Sequence, residues 1–365
     1  VRAVYTRKYY LMLVAAATAF FISGCGPGWP TYRGGPGRAA SLRPDFAGPP
    51  RGPGWKLELK APSFSSPVLA GRYLLVGTND DFLNVIEPAR GKIVYRYRTG
   101  GDVAGGAAVA GNTAYFGSAD GYLYALDVPR RRLKWKFAAD GKIVADPVVA
   151  DGKVFVGTLS GNVFAVGARD GKLKWVASDV GAVWATPCWA GGNLYVASRS
   201  GRLMCFDAAG RRNWSYDAAA PLTAAPLALN GTVVAASEEG EIFALDAADA
   251  RPRWRYPAGA GISGLAAAAG TIFAGTWDGT LVALRLADGA RLWQRDVAGA
   301  VEGCPAVAGD FLYAGTAAGK IYAVGTKDGE IKWEGDAPAG ISSSPAVGPD
   351  AIYVVADDGT ALSYR

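Results

Sequence analysis

The sequence predicts an all-β protein, an eight-bladed β-propeller of four-stranded antiparallel blades. Three observations predict it: an aromatic residue recurring every 39 or 40 positions, short alternating strand patterns locked to that period, and glycine-marked turns between them. Trp135, Trp175, Trp214, Trp254, Trp293 and Trp333 are spaced 40, 39, 40, 39 and 40 apart. Counting back by 40 reaches Tyr95 and then Trp55, so eight aromatic residues stand in register.

Other columns move with the aromatic one. About fourteen residues before it a Gly opens an alternating strand, as in Gly121-Tyr-Leu-Tyr-Ala-Leu-Asp127 and Gly240-Glu-Ile-Phe-Ala-Leu-Asp246. Before that Gly lies a second strand, such as Val154-Phe-Val-Gly157 or Leu312-Tyr-Ala-Gly315. Earlier still is a small-residue strand with a proline, as in Ser66-Pro67-Val68, Asp146-Pro147-Val148 and Ser344-Pro345. Each unit therefore holds four short strands, the arithmetic of a propeller blade. Pairs such as Asp120-Gly121, Ser160-Gly161 and Asp278-Gly279 read as two-residue hairpins between the second and third strands. No helical pattern intervenes, which excludes an α/β fold.

The ends of the repeat complete each other. The last unit starts at Ile341 and supplies three strands, ending at Ala361-Leu-Ser-Tyr-Arg365. Trp55-Lys-Leu-Glu-Leu59 is a fourth strand with no blade of its own. Residues 55–60 are expected to complete the eighth blade and cover its edge.

Residues 1–24 read as a secretory signal. Arg2, Arg7 and Lys8 precede a twelve-residue apolar run, Leu11 to Ile22, too short to span a bilayer core of ~30 Å as a helix. Ile22-Ser23-Gly24-Cys25 resembles the lipobox of bacterial lipoproteins, which implies an acylated Cys25 as the membrane anchor. Several acyl chains, each burying about 0.8 kcal/mol per CH₂, hold such a protein durably. Gly26 stands where enteric lipoproteins retained in the inner membrane carry Asp, so the resemblance favours the outer membrane. Residues 25–54, rich in Gly, Pro and Arg, read as a tether, and 55–365 as the propeller.

Composition narrows the function. Half the residues are hydrophobic and 19% are charged, so the chain can build a core. The formal net charge of +6 falls to +3 once Arg2, Arg7 and Lys8 are set aside with a segment that has no Asp or Glu. That is too little for a nucleic-acid footprint. No His is present, which removes the commonest general base and metal ligand.

The repeat resembles the PQQ-type propeller repeat over 55–365, on Ala-Leu-Asp followed by Gly-x-x-x-Trp, as in Gly171-Lys-Leu-Lys-Trp175 and Gly329-Glu-Ile-Lys-Trp333. Trp29-Pro30-Thr31-Tyr32-Arg33-Gly34 resembles the opening of many secreted proteins of that type. The resemblance implies that Trp55, Tyr95, Trp135, Trp175, Trp214, Trp254, Trp293 and Trp333 pack between neighbouring blades. It also raises quinoprotein chemistry, which uses a vicinal Cys-Cys ring, a stacking Trp and Ca²⁺ ligands. Here Cys25, Cys188, Cys205 and Cys304 are isolated, there is no CxxCH, and no Asp/Asn-rich Ca²⁺ loop stands out. The channel column reads Ser66, Gly106, Asp146, Thr186, Ala225, Gly264, Cys304 and Ser344, with one carboxylate, expected to pair with a backbone amide. No catalytic, metal or cofactor site is expected, and the three later thiols read as small buried residues without disulfides. A lipid-anchored eight-bladed propeller of this kind is similar to the BamB family of outer-membrane β-barrel assembly. That implies a non-catalytic scaffold binding envelope proteins, with POTRA domains of the central barrel subunit as partners. The alternative is a periplasmic PQQ-dependent quinoprotein or another ligand-binding propeller.

Turns between second and third strands share a face with the inter-blade connections and carry Asp80, Asp81, Asp120, Glu238, Glu239, Asp278, Asp357 and Asp358 against Arg199. The opposite turns carry Arg90, Arg130, Arg131, Arg169, Arg211 and Arg251 among others. Trp184 and Trp277, outside the aromatic register, are expected on the acidic face as partner-binding anchors.

Overall fold

The structure, a computed structural model, describes residues 48–365. Thirty-two strands, numbered β1 to β32 in chain order, form eight four-stranded antiparallel sheets. Seven blades are built from four consecutive strands, as in β14 (Cys188–Ala190), β15 (Asn193–Ala197), β16 (Arg202–Asp207) and β17 (Arg212–Asp217). The eighth joins β30 (Ala346–Val347), β31 (Ile352–Val355) and β32 (Thr360–Tyr364) to β1 (Pro53–Glu58). β1 pairs antiparallel with β32, Lys56 opposite Leu362 and Glu58 opposite Thr360. The clasp thus occupies 53–58 rather than 55–60, with a register shift between Pro53 and Lys56. Ser363 Oγ accepts the Trp55 amide at 2.9 Å inside that irregularity. No helix among the described residues is long and apolar enough to cross a membrane.

The three inner strands of each blade are almost wholly buried, whereas the outermost alternates between exposed and half-buried residues, as in Arg212–Asp217. Alternation with period 2 turns one side of that strand to the neighbouring blade and the other to water. The apolar core lies between blades: Val148, Phe155 and Ala165 of one blade cluster with Leu194, Val196, Met204 and Phe206 of the next.

The aromatic column fills these junctions. The Trp175 indole N–H donates to Ala208 O of the next blade at 3.1 Å, Trp135 to Ala168 O at 3.2 Å, and Trp293 to Thr326 O at 2.9 Å. Trp55, Trp214 and Trp254 donate in the same way to Pro88, Ala247 and Leu286. Tyr95 keeps the bond through its hydroxyl, 3.2 Å from Val128 O. Trp333, the last, packs edge-on to Tyr364 instead, ring centroids 5.2 Å apart. From Trp55 to Trp293 each ring packs at a blade junction while its one polar atom stays satisfied.

The hairpins between second and third strands differ from expectation. In the turn after Gly117, Gly121 donates to Ser118 O at 3.1 Å and Ser118 donates to Tyr122 O at 3.1 Å. This is a three-residue loop with a positive-φ glycine closing it, not a two-residue primed turn. Only Gly121, at φ +83°, takes the left-handed conformation; Asp120 does not. Asp120 instead accepts the Gly100 and Tyr122 amides at 2.8 and 3.0 Å and the Tyr124 hydroxyl at 2.5 Å.

Candidate functional site

The connections entering each blade descend along the axis and line a central funnel. Its inner level is the channel column of the repeat. There the Gly106 amide donates to Asp146 Oδ1 at 2.7 Å, Cys304 to Ser344 Oγ at 2.8 Å, and Ser344 to Ser66 Oγ at 3.0 Å. Each bond ties one blade to the next, and the last joins blade eight to blade one. Asp146, 8% exposed, therefore takes the structural part expected of it, satisfying a backbone amide.

Two residues before that column lies the rim. Phe64, Ala104, Val144 and Trp184 occupy it in blades one to four, and Thr223, Ser263, Glu302 and Ser342 line the other half. Strand β22 (Ile262–Ala268) has a register shift between Ile262 and Gly264, which brings Ser263 rather than Ile262 to the funnel. Half the rim is thus apolar and half polar. Phe64 and Trp184 are 51% and 46% exposed, unusual for rings of this size. Trp277, 43% exposed, sits in the turn beside Ser263, and its indole N–H donates to Ser263 Oγ. Its ring covers Gly261, where any Cβ would overlap the indole.

The two tryptophans expected on this face are therefore both on it, one lining the funnel and one standing beside it. Phe64 and Glu302 were not singled out by sequence reasoning. Each stands two residues before its Ser66-Pro67 or Cys304-Pro305 marker, the slot that Trp184 fills before Thr186-Pro187. Trp189, also out of register, is structural: it stacks on Phe155 with centroids 4.8 Å apart. Cys25 and Trp29 lie outside the described residues.

The electrostatics of the face are acidic. Ser342 Oγ donates to Glu302 Oε2 at 2.7 Å and lies 2.9 Å from Asp357 Oδ2, while the Ser342 amide donates to Asp357 Oδ1 at 3.0 Å. Burial raises the Asp357 carboxyl above its usual range, with Glu302 and Asp358 adding to the rise. Arg199 stands beside Trp184. Its guanidinium lies over the Trp184 ring, 5.4 Å from the centroid, and pairs with Glu238 at 3.4 Å. On the opposite face some arginines pair with a local carboxylate, as Arg130 does with Asp127 and Arg211 with Asp207.

Cys188, Cys205 and Cys304 are buried. Tyr195 lies opposite both Cys188 and Cys205, so one strand separates the two sulfurs. Burial pushes the Cys205 thiol up to about 11, which keeps it protonated and unreactive near neutral pH.

A quinone cofactor with its Ca²⁺ demands a slot between flat faces and six or more oxygen ligands. The funnel has a volume of about 160 Å³. That is below the ~300–1,000 Å³ of sites that enclose a cofactor-sized molecule. Asp146 and Glu302 are the carboxylates lining it, and among the described residues no group of three or more His, Cys, Asp or Glu is placed to hold a metal. The residues present do not fit that group.

Fold and site together define a PQQ-like β-propeller whose exposed aromatic residues and acidic groups gather on one face. The chain belongs to the family of the outer membrane protein assembly factor BamB, whose model matches residues 50–183, 179–303 and 278–365. The crystal structure of BamB from Moraxella catarrhalis is similar at a TM-score of 0.74 and 18% identity, covering 86% of this chain and 99% of that one. A quinohemoprotein alcohol dehydrogenase from Comamonas testosteroni is similar at a TM-score of 0.73 and 15% identity, covering 93% and 80%. The computationally designed Ika8 protein is similar at 0.77 and 14%, covering 84% and 97%. At these identities the likenesses establish the fold. None of the curated proteins matches the sequence significantly.

Proposed function

We propose that the protein is a non-catalytic scaffold of the cell envelope. In this reading it is a BamB-like component of outer-membrane β-barrel assembly, held to the membrane through a lipid on Cys25. Its partner surface is the acidic face around Trp184 and Trp277, and its partner is an envelope protein such as the POTRA domains of a β-barrel assembly subunit. The observation that carries this reading is the family match across the whole ring, joined to exposed aromatics concentrated on one face. Exposed tryptophans in a polar surround are the usual anchors of protein interfaces.

The described chain enters the ring away from this surface. Arg51 and Gly52 donate to Arg365 O at 2.5 and 3.0 Å, and Arg365 donates to Ala89 O at 2.9 Å, all at the face opposite the tryptophans. The first described residues thus join the ring at the face opposite the proposed docking surface.

Pull-down from detergent-solubilised envelopes tests the proposal. Capture of a β-barrel assembly subunit, lost in a Trp184→Ala/Trp277→Ala double variant, is expected. Unchanged capture by the double variant sinks the assigned face. Visible absorbance or dye reduction on adding PQQ with Ca²⁺ sinks the non-catalytic reading.

A further inference from the structure

We propose that the axial funnel receives a single cationic side chain, a Lys or Arg carried on an apolar-flanked segment of the protein partner. The inference rests on the docking face proposed above and names the chemistry that the face recognises. Three features of the funnel point to such an occupant.

The first is size. At about 160 Å³ the funnel is small, and below it the ring of bonds through Asp146, Ser344 and Ser66 draws neighbouring blades together. It admits the tip of a side chain but not a folded element or a planar cofactor.

The second is charge. Asp146 and Glu302 are the charged residues lining the funnel, one at the inner level and one at the rim; Arg199, over the Trp184 ring, is paired with Glu238 and does not line it. Asp357, joined to Glu302 through Ser342, adds a further carboxylate behind the rim. Carboxylates inside a concave wall focus a negative potential along the axis and favour a cation over a neutral or anionic group.

The third is the split rim. Phe64 and Trp184 present exposed ring surface on one half, and Glu302 and Ser342 present acceptors on the other. A long cationic side chain has the matching division, since its methylene stem lies on apolar surface while its head seeks acceptors. Arg199, already laid over Trp184, shows that this ring accepts a guanidinium against its face.

The test uses the full chain and two capped peptides, acetyl-Leu-Lys-Leu-amide and the same peptide with norleucine for lysine. The expected result is saturable millimolar binding of the lysine peptide that shifts the Trp184 indole resonance and weakens about tenfold in Glu302→Gln/Asp146→Asn, with the norleucine peptide inert. Asp146→Asn keeps a carbonyl oxygen for the Gly106 amide, so the ring bond survives, and an unchanged melting temperature confirms the fold. Equal binding of the two peptides, no binding of the lysine peptide, or insensitivity to the double variant overturns the proposal. So does free lysinamide competing as well as the peptide, which would make the site one for small amines. In the envelope pull-down, a partner retained by Glu302→Gln/Asp146→Asn but lost by Trp184→Ala/Trp277→Ala overturns funnel insertion and leaves the docking face standing.

Discussion

Gly210 lies directly against the indole of Trp175. A Cβ built on Gly210 would stand 2.6 Å from Trp175 Cδ2, and the same indole donates to the carbonyl of Ala208 two residues earlier. The turn that closes one blade is thus the floor on which the previous blade's tryptophan rests. Gly171 under Trp135, Gly289 under Trp254 and Gly329 under Trp293 repeat the arrangement.

Gly210→Ala is therefore expected to cost more than the backbone alone. At φ +83° an L-residue pays about 1–2 kcal/mol, and displacing the indole forfeits a hydrogen bond worth about 1 kcal/mol more. Gly152→Ala is the control: its φ is +68°, but nothing lies within 4 Å of the new Cβ. Urea denaturation should show the first variant clearly less stable than the second. Equal losses would mean that the turn, and not the tryptophan, sets the requirement.

Much of this was legible in the sequence, and the limits have a physical cause. The period, the eight aromatics and the missing fourth strand are properties of positions along the chain, so counting finds them. The partner of each indole from Trp55 to Trp293, a carbonyl about 33 residues on, belongs to the next blade and appears only once blades are stacked. The hairpin loops were misread because Asp-Gly also suits a three-residue loop in which Gly alone takes positive φ. Trp184 and Trp277 stood out because they break the register. Phe64 and Glu302 did not, because a rim assembled from eight separate connections has no local pattern. At blade two the pattern shows a compensation: Arg131 replaces the floor glycine at φ +54°, Tyr95 replaces Trp, and the guanidinium lies over that ring at 5.5 Å.

The clasp gives a second prediction. A Cβ on Gly54 would collide with Ser363 Oγ, the acceptor of the Trp55 amide. Gly54→Val should detach β1, lift Trp55 from its contact with Tyr353 and bare the edge of β32. A bare edge pairs with other chains. Light scattering should show concentration-dependent association alongside a lower melting temperature, and a monomer of unchanged stability would refute the closure.

The axial ring gives a third. Asp146→Ala leaves the buried Gly106 amide without its acceptor, a loss of about 1–3 kcal/mol. Asp146→Asn should lose much less. Chemical denaturation of the two variants side by side reads the difference, and an Ala variant as stable as the Asn one would remove Asp146 from the structural ring.

Acid should loosen the turns. Burial raises the Asp120 carboxyl, but hydrogen bonds from the Tyr124 hydroxyl and the Tyr122 and Gly100 amides outweigh it and hold it below the usual range. Asp207, Asp288 and Asp328 are lowered chiefly by backbone amides of Arg211, Ala290 and Glu330. A carboxyl lowered on folding stabilises the native state above its unfolded pKa of about 4 and loses that contribution as pH falls through its folded value. Asp357, raised by burial, works the other way: its contribution declines as pH rises above that same value. Urea midpoints should therefore fall between about pH 4 and pH 2, and Asp120→Asn should flatten that fall. A variant with an unchanged acid slope would show that Asp120 has no part in it.

Site-specific photocrosslinking in envelopes tests the central claim, that the protein is a scaffold docking through its acidic face. A photoreactive phenylalanine replaces Trp277 on that face or Arg130 on the opposite one. The account predicts an adduct with a β-barrel assembly subunit from position 277 and none from position 130. An adduct from position 130 alone, or none with such a subunit from either position, would contradict it.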